Sequence, residues 1–526
     1  MSEEGSTGDD ESDYSEIEDE PRLKYRRLGN DIVAVLRNTS ITAFKSNERL
    51  IALGTADGQV RLFDHEGNKI QDIYTHNGSC TCIVMDDKGE LIASSGEDGS
   101  VKVTSLFGDD EKEQKMKFRA EVSTIALAPD YTDSGRIVIG SDKITLCEKG
   151  LLGSKKSTTL AVGIQGRIAK IDWTYPEHIV WADSKDVKIF DLSKREVISI
   201  IPRQSSGLNS SHYRASFIWN DKHQLIIGWG DYVQICQIKN RAGTRKVEIQ
   251  KMCQTRFKCS GIAQMGDDLL VLSYDETDAK PAVRIIMPHV SDYDEVAFDT
   301  LTMRDYGSFK SRDYILAKND DLNNYFIVSP KDIIVAVEPD DEDHLNWLLE
   351  NEQFTDALDF CQGKKFKEHT YGSIGREYIR HLIQLERLAE AAEKCKLFLF
   401  TFDEWEREAM AFSSKSALKT LVPYLPTAEP RLRASIYGEA LREFIESKEY
   451  DDYLHWIQHW PGAIYEIKQQ VFLLRKELEQ TKNKSLRIAL RILLENDQKL
   501  VYTRSNLILM FYSQVQRSLP NIPPVE

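Results

Sequence analysis

Two internal repeats of different period predict a β then α chain: a seven-bladed WD40-like β-propeller followed by an α-solenoid of helix pairs. The first repeat is a strand, tight turn, strand unit recurring about every 40 to 45 residues. The second is a helix-pair unit seen twice at an offset of 34. Between them, Pro339-Asp-Asp-Glu-Asp343 is a charged break suited to a helix start.

The first repeat is clearest in Leu53-Gly-Thr-Ala-Asp-Gly-Gln-Val-Arg-Leu-Phe-Asp64 and Ala93-Ser-Ser-Gly-Glu-Asp-Gly-Ser-Val-Lys-Val103. In each, a β-rich stretch meets Asp-Gly, which supplies the positive φ of a hairpin turn, and alternation then resumes. Asp57 and Gly58 therefore predict one structural turn, and Asp98 and Gly99 the equivalent turn 41 residues on. Weaker copies centre on Ser141-Asp142, Ser184-Lys185, Gly230-Asp231, Asp275 and Pro330-Lys331. Seven turns at spacings of 41, 44, 43, 46, 44 and 56 predict seven blades over residues 21–337. Phe63-Asp64 and Phe190-Asp191 stand where a WD blade carries Trp-Asp.

After Val337 the spacing becomes helical. Leu348-Leu-Glu-Asn-Glu-Gln-Phe354 through Cys361 matches Leu382-Ile-Gln-Leu-Glu-Arg-Leu388 through Cys395, and returns as Phe444-Ile-Glu-Ser-Lys-Glu-Tyr450 through Ile457. Each copy ends one helix, turns, and opens another with apolar residues at i, i+3 and i+4, so a pair carries a stripe to bury against its neighbours. Such pairs stack into a solenoid, here predicted over residues 338–498. A fourth copy begins at Leu493, then places Lys499 where the others have Phe354, Leu388 and Tyr450. Residues 499–526 therefore read as a divergent tail, and the chain as a shortened form of a longer protein.

The other end is a leader, residues 1–20, with ten acids and no base, read as disordered and the reverse of a targeting peptide. Of the net charge of −16 it carries −10. The body has no surplus of Lys and Arg to release counterions, so nucleic-acid partners are disfavoured. No apolar run approaches the roughly 18 residues of a membrane span. Eight scattered cysteines lack CxxC spacing and read as reduced, buried thiols of a cytoplasmic protein. Ser6, Thr7 and Ser15 each have an acid three residues on and are the candidate phosphorylation positions, against the plainer reading of a solvating leader.

Motifs that could carry chemistry have plainer structural readings. Gly150-Leu-Leu-Gly-Ser-Lys-Lys-Ser157 misses the phosphate-loop spacing, because Lys155 falls where the second glycine must be. Gly228-Trp-Gly230 lacks a third glycine and a helix. His455 and His459 have the i, i+4 spacing of a metal pair but enclose Trp-Ile-Gln, without a base or further ligand nearby in sequence. No nucleophile motif stands out. The expectation is a non-enzymatic chain with no catalytic residue, cofactor or metal.

Several stretches in order, among them Pro21-Arg-Leu-Lys-Tyr-Arg-Arg-Leu28, Ile179-Val-Trp-Ala-Asp, Val187-Lys-Ile-Phe-Asp191, Leu225-Ile-Ile-Gly-Trp-Gly230, Tyr325-Phe-Ile-Val-Ser-Pro-Lys-Asp332, Asp343-His-Leu-Asn-Trp-Leu-Leu-Glu350 and Trp460-Pro-Gly462, resemble the vacuolar protein sorting-associated protein 41 family. The resemblance implies a subunit of the homotypic fusion and protein sorting (HOPS) tethering complex, acting at late endosomes, lysosomes or the vacuole. It implies as partners the other HOPS subunits, Rab-type small GTPases or their effectors, and adaptor protein complex three on Golgi-derived carriers, with peripheral membrane association through partners. The propeller and solenoid order by itself also fits a substrate receptor of a ubiquitin ligase, or a coat or transport-train scaffold.

Overall fold

The computed structural model describes residues 19–108, 114–149, 155–204, 212–221, 223–241, 244–499 and 502. Two compact units emerge, one spanning Pro21–Pro339 and one that is helical from Asp340 onward.

In the first unit, antiparallel sheets are arranged around a ring. Four are consecutive four-stranded meanders: Ile41–Ser46 to Lys69–Tyr74, Cys80–Met85 to Gln114–Lys117, Thr124–Leu127 to Lys155–Ala161, and Lys170–Asp172 to Glu196–Pro202. The first strand of each is innermost, and those of the first three pack on the first strand of the next. Another four-stranded sheet closes the ring, with Ile315–Asn319 innermost, then Asn324–Ser329 and Asp332–Val337, and Lys24–Arg27 as its outermost strand.

The expectation of seven blades is corrected to six. The strands around Gly230-Asp231 and around Asp275 belong to one six-stranded sheet running from Ser216–Asp221 to Tyr293–Thr300. Its middle is two long strands, Gln224–Arg241 and Thr244–Met265. At Gly230, φ 64°, the register shifts, Gly230 facing Cys259 while Tyr232 faces Gln254, so residues 255–258 have no partner in this ladder, but both sides of the shift belong to one sheet. A sequence period counts turns, whereas the number of sheets depends on whether pairing breaks between them. Here it shifts and the sheet continues.

Ring closure uses residues more than 270 positions apart. Lys24 pairs with Val337 and Arg27 with Ile334, and the amide of Leu28 donates to the carbonyl of Ile333 at 2.9 Å. The Tyr25 hydroxyl donates to Asp299 at 2.6 Å, and burial followed by this bond pushes the phenol well above its usual range. Arg27 Nε meets the buried carboxylate of Asp332 at 3.1 Å, which also accepts the Arg304 amide at 3.0 Å. Behind the strand, helix Asp31–Asn38 turns Ile32 and Leu36 into a core with Phe44, Phe326, Ile333 and Val335.

The helical unit holds helices Asp341–Glu350, Phe354–Cys361, Tyr371–Gln384, Leu388–Phe398, Phe402–Ser414, Leu418–Leu421, Ala434–Glu446, Tyr450–His459 and Ile467–Gln480, followed by a helix over 484–499. Acceptor side chains cap several of them: Asp340 receives the amide of Asp343, Thr370 that of Ser373 and Thr401 that of Glu404. The turn between paired helices is one motif used four times. Glu352, Glu386, Ser416 and Lys448 all take positive φ. The next amide in each case, from Gln353, Arg387, Ala417 or Glu449, bonds back to Leu348, Leu382, Phe412 or Phe444 respectively. This is the Schellman closure, made here without glycine. The Ser416 copy escaped the sequence reading, because Ala417-Leu418 offers only a short second helix. At Leu493 no such turn forms; the helix runs on through Gln498 to Lys499.

One core runs through these helices, from Leu345 to Leu493. Arg376 with Glu404 at 2.9 Å, Arg380 with Glu408 at 3.2 Å and Arg433 with Glu406 at 3.2 Å pair cations with carboxylates of helix Phe402–Ser414, two of which are buried. Gly375 allows the closest approach, since a Cβ there would lie 2.1 Å from the Phe398 ring.

Two outcomes are expected. Gly375→Ala forces the buried Phe398 to move and lowers stability by about 1–3 kcal/mol in urea unfolding. Asp332→Ala strands the Arg304 amide and removes one partner of the half-exposed Arg27 guanidinium, costing about 1–3 kcal/mol in the same measurement; a variant with the parent midpoint would show that this carboxylate does not hold the ring closed.

Candidate functional site

Asp57 and Gly58 lie in the turn after strand Ile51–Thr55, and Asp98 and Gly99 in the turn after strand Leu91–Gly96. The glycines sit at φ 81° and 75°. Conformation is only half of what they contribute. The Gly58 carbonyl accepts the amide of His76 at 3.0 Å, and the Gly99 carbonyl that of Phe118 at 2.8 Å, so each turn clamps the linker leading to the next sheet. A Cβ on Gly58 would lie 2.3 Å from the His76 carbonyl oxygen, and one on Gly99 2.7 Å from those of Phe118 and Ala120.

The two aspartates work differently. Asp57 accepts two bonds from Arg61, at 3.0 and 2.7 Å, and one from Thr39 at 3.0 Å. The Arg61 guanidinium holds its carboxyl well below the usual range. Asp98 accepts from the Ser100 hydroxyl at 2.6 Å, the Ser100 amide at 2.9 Å and the Asn77 amide at 3.2 Å. Burial alone would raise its pKa, but these donors together carry it well below the carboxylate norm.

Sequence reasoning missed the centre of this second network. His76 reaches Ser100 with Nδ1 at 2.7 Å and Ser94 with Nε2 at 2.9 Å, and its side chain is fully buried. Burial lowers its pKa, against the pull of Asp98 at 3.5 Å, so the imidazole is held neutral. The available signal was a histidine 22 residues ahead of a turn aspartate. Asp64 and Asp191 also share one function, in that each accepts amides two residues on, from Glu66 and Ser193, and holds the turn leaving a third strand.

Inside the ring is a channel of about 910 Å³. Arg167, Arg214 and Arg312 line it just ahead of inner strands, and Lys45, Lys170 and Lys318 line it from inner strands. Hydroxyls bind the ring together around it, Thr42 donating to the Cys80 carbonyl at 2.6 Å and Thr81 to that of Val122. Lys170 does the same for Phe217, at 2.7 Å.

The remaining sequence candidates separate. The rings of His455 and His459 lie 4.1 Å apart and tilted by 31°, with His459 Nδ1 2.7 Å from the His455 carbonyl, and among the described residues no group of three or more His, Cys, Asp and Glu is placed to hold a metal. All eight cysteines are free, and burial pushes the thiols of Cys236 and Cys259 up to about 12. Ser6, Thr7 and Ser15, and residues 150–154 of the glycine-lysine loop, lie outside the described residues. No described helix is long and apolar enough to cross a membrane.

Comparison with known proteins follows the same division of the chain. A family model for the Vps41 β-propeller, whose description reads Vps42 beta-propeller, matches residues 23–338, and the Vps41 TPR-like region matches residues 373–515. The Vacuolar protein sorting-associated protein 41 homolog of Homo sapiens is 34% identical over 499 residues, covering 91% of this chain and 58% of its own length. That of Danio rerio is 32% identical over 498 residues, with coverage of 91% and 58%. The Arabidopsis thaliana homolog is 32% identical over 499 residues, covering 85% of this chain and 50% of its own. The chain thus spans between half and three fifths of the length of these relatives.

Two outcomes test the turn networks. Gly58→Val costs about 1–3 kcal/mol from backbone strain alone, with the clash against the linker added, read as a lower melting midpoint. A histidine whose folded pKa is lowered favours the unfolded state once it can protonate, so its share of stability is lost as pH falls below about 6.5. His76→Asn should therefore flatten the fall in melting midpoint between pH 7.5 and 5.5, and an unchanged slope would assign that pH dependence to other groups.

Proposed function

This chain belongs to the Vps41 family, and from that membership we propose that it is a non-enzymatic scaffold subunit of the HOPS tethering complex, acting in vesicle-mediated protein sorting to late endosomes and the lysosome or vacuole. The observation that carries the reading is the match of both family regions, propeller then TPR-like, in order along one chain. A ring of sheets presents many loops on a rigid frame, and stacked helix pairs present an extended face, so one chain can hold separate partners without chemistry. The partners proposed are other HOPS subunits, Rab-type small GTPases or their effectors, and adaptor protein complex three. Residues 21–337 and 338–498 are proposed as the two binding modules, with membrane association through those partners.

The expected outcome of affinity purification from cells at native expression is recovery of tethering-complex subunits. Recovery of a cullin and its adaptor instead would favour a ligase receptor, and coat subunits a coat scaffold. Loss of the protein should leave endocytosed cargo in late compartments that do not fuse; normal cargo degradation in null cells would overturn the sorting role.

A further inference from the structure

The chain carries a net charge of −16, yet its central channel is lined by six cations against four carboxylates, Asp172, Asp183, Asp313 and Asp320. Those carboxylates are largely committed. Asp183 holds Lys188 at 2.6 Å and two backbone amides, Asp172 accepts twice from Thr174, Asp320 meets Lys318 at 3.1 Å, and Asp313 accepts the Lys310 amide at 2.8 Å. Arg167 is paired with Glu121 at 2.5 Å. Arg214 and Lys45 are exposed to the channel and make no hydrogen bond or ion pair among the described residues.

We propose that this channel is a binding site for a compact, multiply phosphorylated small molecule, with Arg214 as its principal contact and Lys45 and Lys170 as further ones. A guanidinium presents paired donors that match two phosphate oxygens, and ammonium groups add point charges around them. The Lys170 amine, which spends one donor on the Phe217 carbonyl, keeps two more. Like charge gathers around Arg214. Enclosure by the channel walls and then the nearness of Arg167 lower its pKa, against the pull of Asp313, while burial lowers that of Lys170 and Asp172 opposes the shift. The cavity of about 910 Å³ suits a ligand of drug-like size, and the inner strands of the ring wall it. This favours a compact polyphosphate over an extended acidic peptide carrying the same charge. The site lies in the propeller's interior and stands apart from the tethering role.

The probe is inositol hexakisphosphate, titrated calorimetrically into the full chain at 0.15 M salt. One site is expected, weakened at least tenfold by Arg214→Ala and about threefold or more by Lys45→Ala. Lys239→Ala, outside the channel, should keep the parent affinity. Melting midpoints equal to the parent's confirm that the variants fold. Vesicles containing phosphatidylinositol 4,5-bisphosphate separate the sources. Binding to both probes with the same Arg214→Ala loss assigns the site to a lipid headgroup, and binding to the soluble probe alone assigns it to a free polyphosphate. No binding to either, binding indifferent to Arg214→Ala and Lys45→Ala, or binding of a hexaglutamate peptide in preference to both, overturns the proposal.

Discussion

Pairing of Lys24–Arg27 with Asp332–Val337 is the contact on which the rest of the propeller depends. A ring of sheets that failed to close would expose the unpaired backbone edge of Asp332–Val337 to solvent and to other chains. Closure by a strand from the opposite end of the unit ties the first residues of the propeller to its last. It carries side-chain locks as well: Arg27 on Asp332, Tyr25 on Asp299, and Lys331 Nζ on the carbonyls of Leu36 and Thr39 at 2.8 and 2.7 Å. The inner strand Ile315–Asn319 then lies beside Ile41–Ser46, and the channel acquires a complete wall.

Both units reuse one local device rather than one side-chain pattern. In the propeller, the turn glycine of one sheet receives the linker to the next, which is why Gly58 and Gly99 read so plainly in the sequence. In the helical unit, a residue at positive φ closes four of the pairs through the backbone, and the residue varies from Glu to Ser to Lys. A closure made by the main chain places little demand on side-chain identity. The Leu348, Leu382 and Phe444 copies were legible through their apolar stripes, while the Phe412 copy, followed by a four-residue helix, was not.

Net charge and site charge are different quantities. The acidic leader and the mildly acidic body disfavour long phosphate-rich partners by their sum, whereas the channel gathers cations from separate sheets into one cavity. Arg167, Arg214 and Arg312 lie up to 145 positions apart, and their convergence is a property of the ring.

Period, turn chemistry and apolar spacing determined by themselves that this chain is β then α, where Asp57-Gly58 and Asp98-Gly99 turn, and which family it resembles. These are legible because each depends on residues within a few positions of one another. Tertiary structure alone decided that six sheets form rather than seven, since continued pairing of Gln224–Arg241 with Thr244–Met265 is a matter of ladder geometry that a turn signal does not report. It also decided that His76 serves Ser94 and Ser100 and that Lys24–Arg27 closes the ring. Such contacts join residues whose separation along the chain has no period, so only the folded path brings them within bonding distance.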